Sequence, residues 1–221
     1  MSNKIKYGII GASGKMGREI QHVFSESKHE CVFKFDVDGE QLKENPELLI
    51  DFSLPDVLPK TIDYVKSFNI PLIIGTTGLS TEQLESIKEL SKTVPVVQSY
   101  NFSIGIQLLI KCIEAVRNET KDWDIEIEET HHRFKKDKPS GTAIMIKELL
   151  NDNVPVSSLR LGNVPGVHSV HFGNLGEILK IEHQALSRRT FADGVLKAAY
   201  FVMNKKNGFF SFKDVINNKN D

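Results

Sequence analysis

The densest chemistry in the chain lies in Glu128-Glu129-Thr130-His131-His132-Arg133-Phe134-Lys135-Lys136-Asp137-Lys138-Pro139-Ser140-Gly141-Thr142-Ala143. Histidines hold or deliver a proton near neutral pH, and the arginine and lysines beside them can neutralise an anion or stabilise charge as it develops. Ser140-Gly141-Thr142 introduces a helical pattern running from Ala143 to Leu150. Backbone N–H groups at that helix start could join the cations in holding a compact dianion, such as a small dicarboxylate. A solvated basic loop beside a helix cap is the plainer reading of the same residues. Adjacent side chains on an extended segment face opposite sides, so one histidine is expected to face a cleft and the other to hold the loop or contact a carboxylate. The residues alone do not choose between His131 and His132.

A second constellation is Gly11-Ala12-Ser13-Gly14-Lys15-Met16-Gly17, directly after an apolar strand and at the start of a helix. In that context Gly11 permits a tight turn, Gly14 lets the backbone approach a pyrophosphate, and Gly17 lets helix and strand pack closely. Asp36 ends the next strand, nineteen residues after Gly17, where a carboxylate can accept hydrogen bonds from an adenosine ribose. A ribose phosphate there would bring like charges together unless Lys15, Arg18 or Lys34 compensated, so NADH is favoured over NADPH. Two further strand ends, Asp51-Phe52-Ser53 and Gly75-Thr76-Thr77-Gly78, point to the same crevice, and the small residues of the second would admit a flat nicotinamide ring. Asp51 could instead cap the following turn, and Phe52 could fill core. His168, His171 and His183 raise a metal hypothesis, but no cysteine pair accompanies them; ordinary surface or substrate-contact histidines explain them at least as well, and no metal is expected.

These residues must be positioned by something, and hydrophobic patterning supplies it. Strand candidates at Ile5 to Ile10, Cys31 to Phe35, Leu48 to Asp51, Pro71 to Ile74 and Val94 to Val97 alternate with helical patterns at Lys15 to Ser25, Pro55 to Phe68 and Ser80 to Ser91. That alternation predicts an α/β fold with a parallel sheet wound by helices. From Ile104 the pattern changes: a helix to Val116, a half-buried strand from Trp123 to Glu128, an antiparallel pair at Val167 to Phe172 and Glu177 to His183, then a helix from Gly194 to Met203. Phe209 to Val215 reads as a short capping element, and the chain end as fraying. Of 221 residues, 40% are hydrophobic and the formal charge is -1, which gives a nucleic-acid backbone nothing to bind. Cys31 and Cys112 read as buried free thiols of a reducing compartment. No segment reaches the roughly 18 apolar residues of a spanning helix, so a cytoplasmic protein without membrane contact is expected.

Taken in order, G-A-S-G-K-M-G, D-F-S, G-T-T-G, N-F-S-I-G, E-E-T-H-H-R-F-K-K-D-K-P-S-G-T-A and S-R-R-T-F-A-D-G make the sequence closely resemble the 4-hydroxy-tetrahydrodipicolinate reductase (dihydrodipicolinate reductase) family of lysine and diaminopimelate biosynthesis. The resemblance spans nearly the whole chain. It implies a Rossmann-like dinucleotide-binding domain over 1–102 and 192–221, and a smaller α+β substrate-binding and oligomerisation domain over 103–191, in a homotetramer. It makes His131 the general acid and Lys135 its charged partner, with His132, Gly141 and Thr142 at substrate-binding positions. Gly11, Gly14, Lys15, Met16 and Gly17 match the dinucleotide loop, Asp36 the ribose position, Gly75 and Thr77 the nicotinamide side, and Arg188 and Phe191 a hinge near the cofactor. The implied reaction is hydride transfer from NADH or NADPH to a small heterocyclic dicarboxylate. Two departures stand out. Val37 follows Asp36 where relatives commonly carry arginine, and the interval from Val164 to His168 is short, which puts the small domain's sheet and its subunit contacts in doubt. The residues by themselves also fit a different small-anion reductase or a nucleotide sensor without catalysis.

Overall fold

The computed structural model describes residues 4–218. Its chain divides into two compact units, one running through Phe102 and resuming at Phe191, the other Ser103–Thr190.

The first unit is built on a seven-stranded sheet. In chain order it contains β1 (Lys6–Ile10), α1 (Lys15–Glu26), β2 (Glu30–Asp36), β3 (Gly39–Leu42), β4 (Leu48–Asp51), a 3-10 turn (Pro55–Val57), α2 (Leu58–Phe68), β5 (Leu72–Ile74), α3 (Thr81–Leu90) and β6 (Pro95–Gln98). After the second unit come α6 (Arg189–Val202), β11 (Gly208–Ser211) and α7 (Phe212–Asn217). The strand order is β11-β6-β5-β4-β1-β2-β3, parallel except for β3, which returns antiparallel on β2. Helices cover both faces, which is why the central strands are continuous apolar runs rather than alternating ones. Neighbouring residues of one strand enter opposite cores: Ile9, Leu48, Ile50, Ile73 and Val97 pack with α1, α6 and α7, whereas Ile10, Leu49, Leu72, Ile74 and Val96 pack with α2 and α3.

Two segments of this unit differ in kind from the sequence expectation. The hairpin strand β3 was not anticipated, because all four of its residues are exposed and carry no apolar alternation. Its one cue is the Asp38-Gly39 dipeptide at the turn. The C-terminal segment is a strand and a helix completing the sheet, where only a capping element was expected. Cys31 is half-buried and Cys112 exposed, which corrects the reading of both as buried; the surroundings of Cys112 are apolar in sequence but its side of the helix faces outward.

The second unit has a four-stranded sheet in the order β10-β9-β7-β8. Its elements are α4 (Ile104–Val116), β7 (Asp124–His131), α5 (Gly141–Leu150), β8 (Val156–Arg160), β9 (Gly166–Gly173) and β10 (Ile178–Ala185). β7 and β8 are parallel across the α5 crossover, and β9 and β10 form the expected antiparallel pair. Ile106, Leu109, Ile113, Ile127, Ile146, Val170 and Phe172 make its core between sheet and helices. β7 runs three residues beyond the expected Glu128, so it carries Glu129 and His131 within the sheet.

Candidate active site

At the carboxyl ends of β1, β2 and β4 the first unit has a cavity of about 460 Å³ lined by Gly11, Ser13, Gly14, Asp36, Val37, Phe52 and Leu54, among others. β1 lies between β4 and β2, and successive connections leave it in opposite directions, which opens a crevice at that point. Gly11 adopts φ +81°, and a side chain on Gly17 would lie 2.1 Å from the Gly11 carbonyl oxygen, so glycines let the loop turn tightly against the start of α1. Asp36 accepts hydrogen bonds from the backbone N–H groups of Ser13 and Val37. Burial opposes its ionisation, but those hydrogen bonds, with attraction to Arg18, hold its carboxyl below the ordinary range. A charged acceptor at the rim of a glycine turn fits a dinucleotide.

Other proposed cofactor contacts separate by environment. Lys15 is exposed, and Met16 packs partly against the core under α1. A side chain on Gly75 would lie 2.3 Å from the Phe52 ring, so the missing Cβ makes room for Phe52. Phe52 both lines the cavity and packs on the core, so its two readings merge. Thr77 is exposed, while its neighbour Thr76 is buried and donates to Asp51 at 3.0 Å. Asp51 is itself fully buried and also accepts from the hydroxyls of Ser53 and Thr61, both at 2.6 Å. It therefore ties β4 to α2 and to the turn after β5. Arg188 is half-buried just before α6 and Phe191 half-buried in its first turn, each in a different unit.

The second unit gathers its polar groups through strand register. On β7, Ile125, Ile127, Glu129 and His131 share one face, so an apolar row ends in an acid and a histidine. Glu129 pairs with His168 of β9, and His131 with Arg160 of β8. The four side chains meet there. Glu129 is fully buried and bonds His131 Nδ1, while Arg160 donates to both of its oxygens, at 3.0 and 2.8 Å. Burial acts to raise the Glu129 pKa, yet hydrogen bonds from His131, Arg160 and Ser158 bring it down to about 2. The ionised carboxylate accepts at Nδ1–H, so Nε2 is the His131 nitrogen left for exchange. His168 packs edge-on to His131, with ring centres 5.0 Å apart, and lies 3.2 Å from the Ser140 hydroxyl. Burial, then repulsion from His131, pushes its pKa down to about 3, and it stays neutral.

Ser140 caps α5 by accepting from the Ala143 N–H at 3.2 Å, and its own N–H donates to Glu129. Gly141 and Thr142, the first residues of α5, are thereby fixed beside this cluster. Lys135 is paired with Asp137 at 2.8 Å and is only 19% exposed. Arg160 donates to the carbonyls of Lys135 and Asp137, anchoring the loop that carries them. His132 packs near Phe134, with ring centres 6.4 Å apart. Sequence reasoning missed Glu129, Arg160 and Ser140 as parts of this site. Glu129 had a cue, its even spacing from His131 on one strand, whereas the β8 sequence Val-Ser-Ser-Leu-Arg gave none. His168 and His171 face opposite sides of β9, being three apart, and among the described residues no group of three or more His, Cys, Asp or Glu is placed to hold a metal.

A doubly wound sheet with a glycine-turn crevice, continued into an α+β unit that holds a buried acid–histidine pair, defines a two-domain nicotinamide-dependent oxidoreductase. Comparison with known proteins narrows the class. Residues 5–102 match the family model "Dihydrodipicolinate reductase, N-terminus" and residues 105–216 the model "Dihydrodipicolinate reductase, C-terminus". The chain belongs to the dihydrodipicolinate reductase family, and it catalyses that family's NAD(P)H-dependent reduction step in lysine and diaminopimelate biosynthesis. It is 50% identical to the 4-hydroxy-tetrahydrodipicolinate reductase of Thermosipho africanus, over 96% of this chain and 98% of that protein. The same enzyme of Rickettsia bellii is 36% identical, over 97% and 95%. Its fold is shared with the solved dihydrodipicolinate reductase of Paenisporosarcina sp. TG-14, at a TM-score of 0.75 and 23% identity, covering 95% of this chain and 98% of that one.

Proposed function

We propose that the chain reduces the dehydrated heterocycle derived from 4-hydroxy-tetrahydrodipicolinate to tetrahydrodipicolinate, with His131 as proton donor and Lys135 as the cation facing the charged substrate. The observation that carries this assignment is the His131 imidazole, tied through Nδ1 to an ionised Glu129 and so presenting Nε2. The glycine turn and Asp36 would hold a nicotinamide dinucleotide, which when bound would supply the hydride for the reduction at C4 of the ring. His131 delivers a proton to the neighbouring carbon, and Lys135 steadies charge on the nitrogen-containing ring. His132, Gly141 and Thr142 hold a carboxylate, with the start of α5 contributing backbone donors. The Paenisporosarcina structure has dipicolinate bound, a planar dicarboxylate of the size this site would take.

Gly11, Gly14, Lys15, Met16 and Gly17 form the pyrophosphate loop, Asp36 holds the adenosine ribose, Gly75 and Thr77 flank the nicotinamide side, and Arg188 and Phe191 lie near the cofactor. NADH is the preferred reductant, because Asp36 and the apolar, 92% exposed Val37 offer a ribose phosphate repulsion and no cation. The enzyme assembles as a homotetramer through the second unit. In support, one face of that sheet packs on α4 and α5, while the other presents Leu159 and Ile178 to solvent. No helix among the described residues is long and apolar enough to cross a membrane, in keeping with a cytoplasmic enzyme.

The test is oxidation of NADH and, separately, NADPH, with substrate generated in place by condensing pyruvate with aspartate semialdehyde. Enzyme-dependent loss of the reduced-nicotinamide absorbance, faster with NADH, is the expected result. Equal or faster loss with NADPH would overturn the cofactor preference, and no loss with a verified substrate would overturn the substrate assignment.

A further inference from the structure

A single guanidinium organises the polar end of the second unit. Arg160, at the end of β8, forks onto both oxygens of Glu129 and also donates to the main-chain carbonyls of Lys135 and Asp137. Its side chain is 14% exposed and that of Glu129 is fully buried, so the pair lies out of bulk water. We propose that Arg160 is a positioning residue for proton delivery: through Glu129 it fixes the tautomer and angle of His131, and through two carbonyls it fixes the loop that carries Lys135. This rests on the reading of His131 as the proton donor.

The geometry is directional. Strand pairing places Arg160 opposite His131, yet the guanidinium reaches Glu129, two residues earlier on β7, and takes both carboxylate oxygens. A carboxylate gripped by a planar fork cannot rotate, and it presents one oxygen to Nδ1. Lysine keeps the charge but has no fork, and it cannot hold the carboxylate and two loop carbonyls together. The charged and titratable groups around His131 are Glu129 on its own strand, Arg160 on β8, His168 on β9, and Lys135 with Asp137 on the loop. His168 is neutral through the working range, so Glu129 is the anion in contact with His131, and Arg160 holds that carboxylate in place.

The experiment is a double-mutant cycle between Arg160→Lys and His131→Gln, with kcat and KM measured separately and folding checked by circular dichroism. We expect His131→Gln to lower kcat by about a hundredfold or more, as for loss of a general acid. Arg160→Lys should lower kcat about tenfold with KM nearly unchanged, and that loss should shrink to about threefold or less in the His131→Gln background, because the share carried through Glu129 acts with His131 as one unit. Independent, multiplying losses, or a change confined to KM, would overturn the positioning role while leaving His131 in place. Near-normal turnover by His131→Gln would instead overturn the proton-donor reading.

Discussion

His168 shows how burial turns one side chain into a pH liability. Its folded pKa is about 3 against an ordinary 6.5, so as pH falls the unfolded chain takes the proton first. Stability is complete above pH 6.5 and is lost as pH drops through the window from 6.5 toward 3, by up to about 1.4 kcal/mol per pH unit. Glu129, also depressed, adds a loss between its ordinary 4.5 and about 2. Denaturant unfolding of the wild type at pH 7 and pH 5 should show the drop, and His168→Gln should show a smaller one. His29 and His183, both shifted down by burial, leave part of the slope in place. An identical slope in the variant would show that His168 titrates normally in the fold. At this scale the sequence was informative about His131 and Lys135 as types, through their crowding in one segment. Their partners were hidden, because a buried acid and its arginine are recognisable only once strand register brings positions 129 and 160 together.

The β2–β3 hairpin sets the rim of the first unit's cavity. It places Asp36 at the last ladder position and leaves Val37 projecting into solvent, beside the same cavity. Val37→Arg should raise the kcat/KM ratio of NADPH to NADH about tenfold or more, since a guanidinium at that position can pair with a ribose phosphate and offset the carboxylate. Steady-state kinetics with both cofactors would check it, and an unchanged ratio would place the phosphate elsewhere. Elements of this kind were the least readable. The buried strands β1, β4, β5 and β6 announced themselves as apolar runs between helical patterns. The wholly exposed β3 had no such run, and β8 mixes serine with leucine in a sequence that fits loop as well as strand. α6 begins at Arg189 rather than Gly194, because its first turn carries Arg, Thr and Phe with no apolar periodicity yet established.

The molecule as a whole depends on its last fifteen or so described residues. β11 pairs with β6, and Phe212 and Val215 of α7 are buried in the core that α1 and α6 share. Truncation after Asn204 should therefore leave the β6 edge bare and uncover that core, giving a protein that unfolds at lower temperature or is recovered insoluble. Thermal unfolding and recovery in the soluble fraction measure this, and wild-type values for both would show the segment to be dispensable. The two-part plan was legible from the break in pattern near Ile104. That the chain's end returns to its beginning followed only from family resemblance, because Phe209 to Val215 is too short to show which sheet it joins.

The interrupted first unit has a consequence for how the protein is made. A ribosome releases the chain from its N-terminus, and domains fold as their sequence emerges. When residues through Phe102 are out, Ile9, Leu48 and Ile50 have α1 beside them but neither α6 nor α7. The inserted unit Ser103–Thr190 is complete in sequence before its host. Nascent chains of this protein thus spend the synthesis of nearly ninety residues with a half-roofed sheet, a window in which a chaperone would find its substrate.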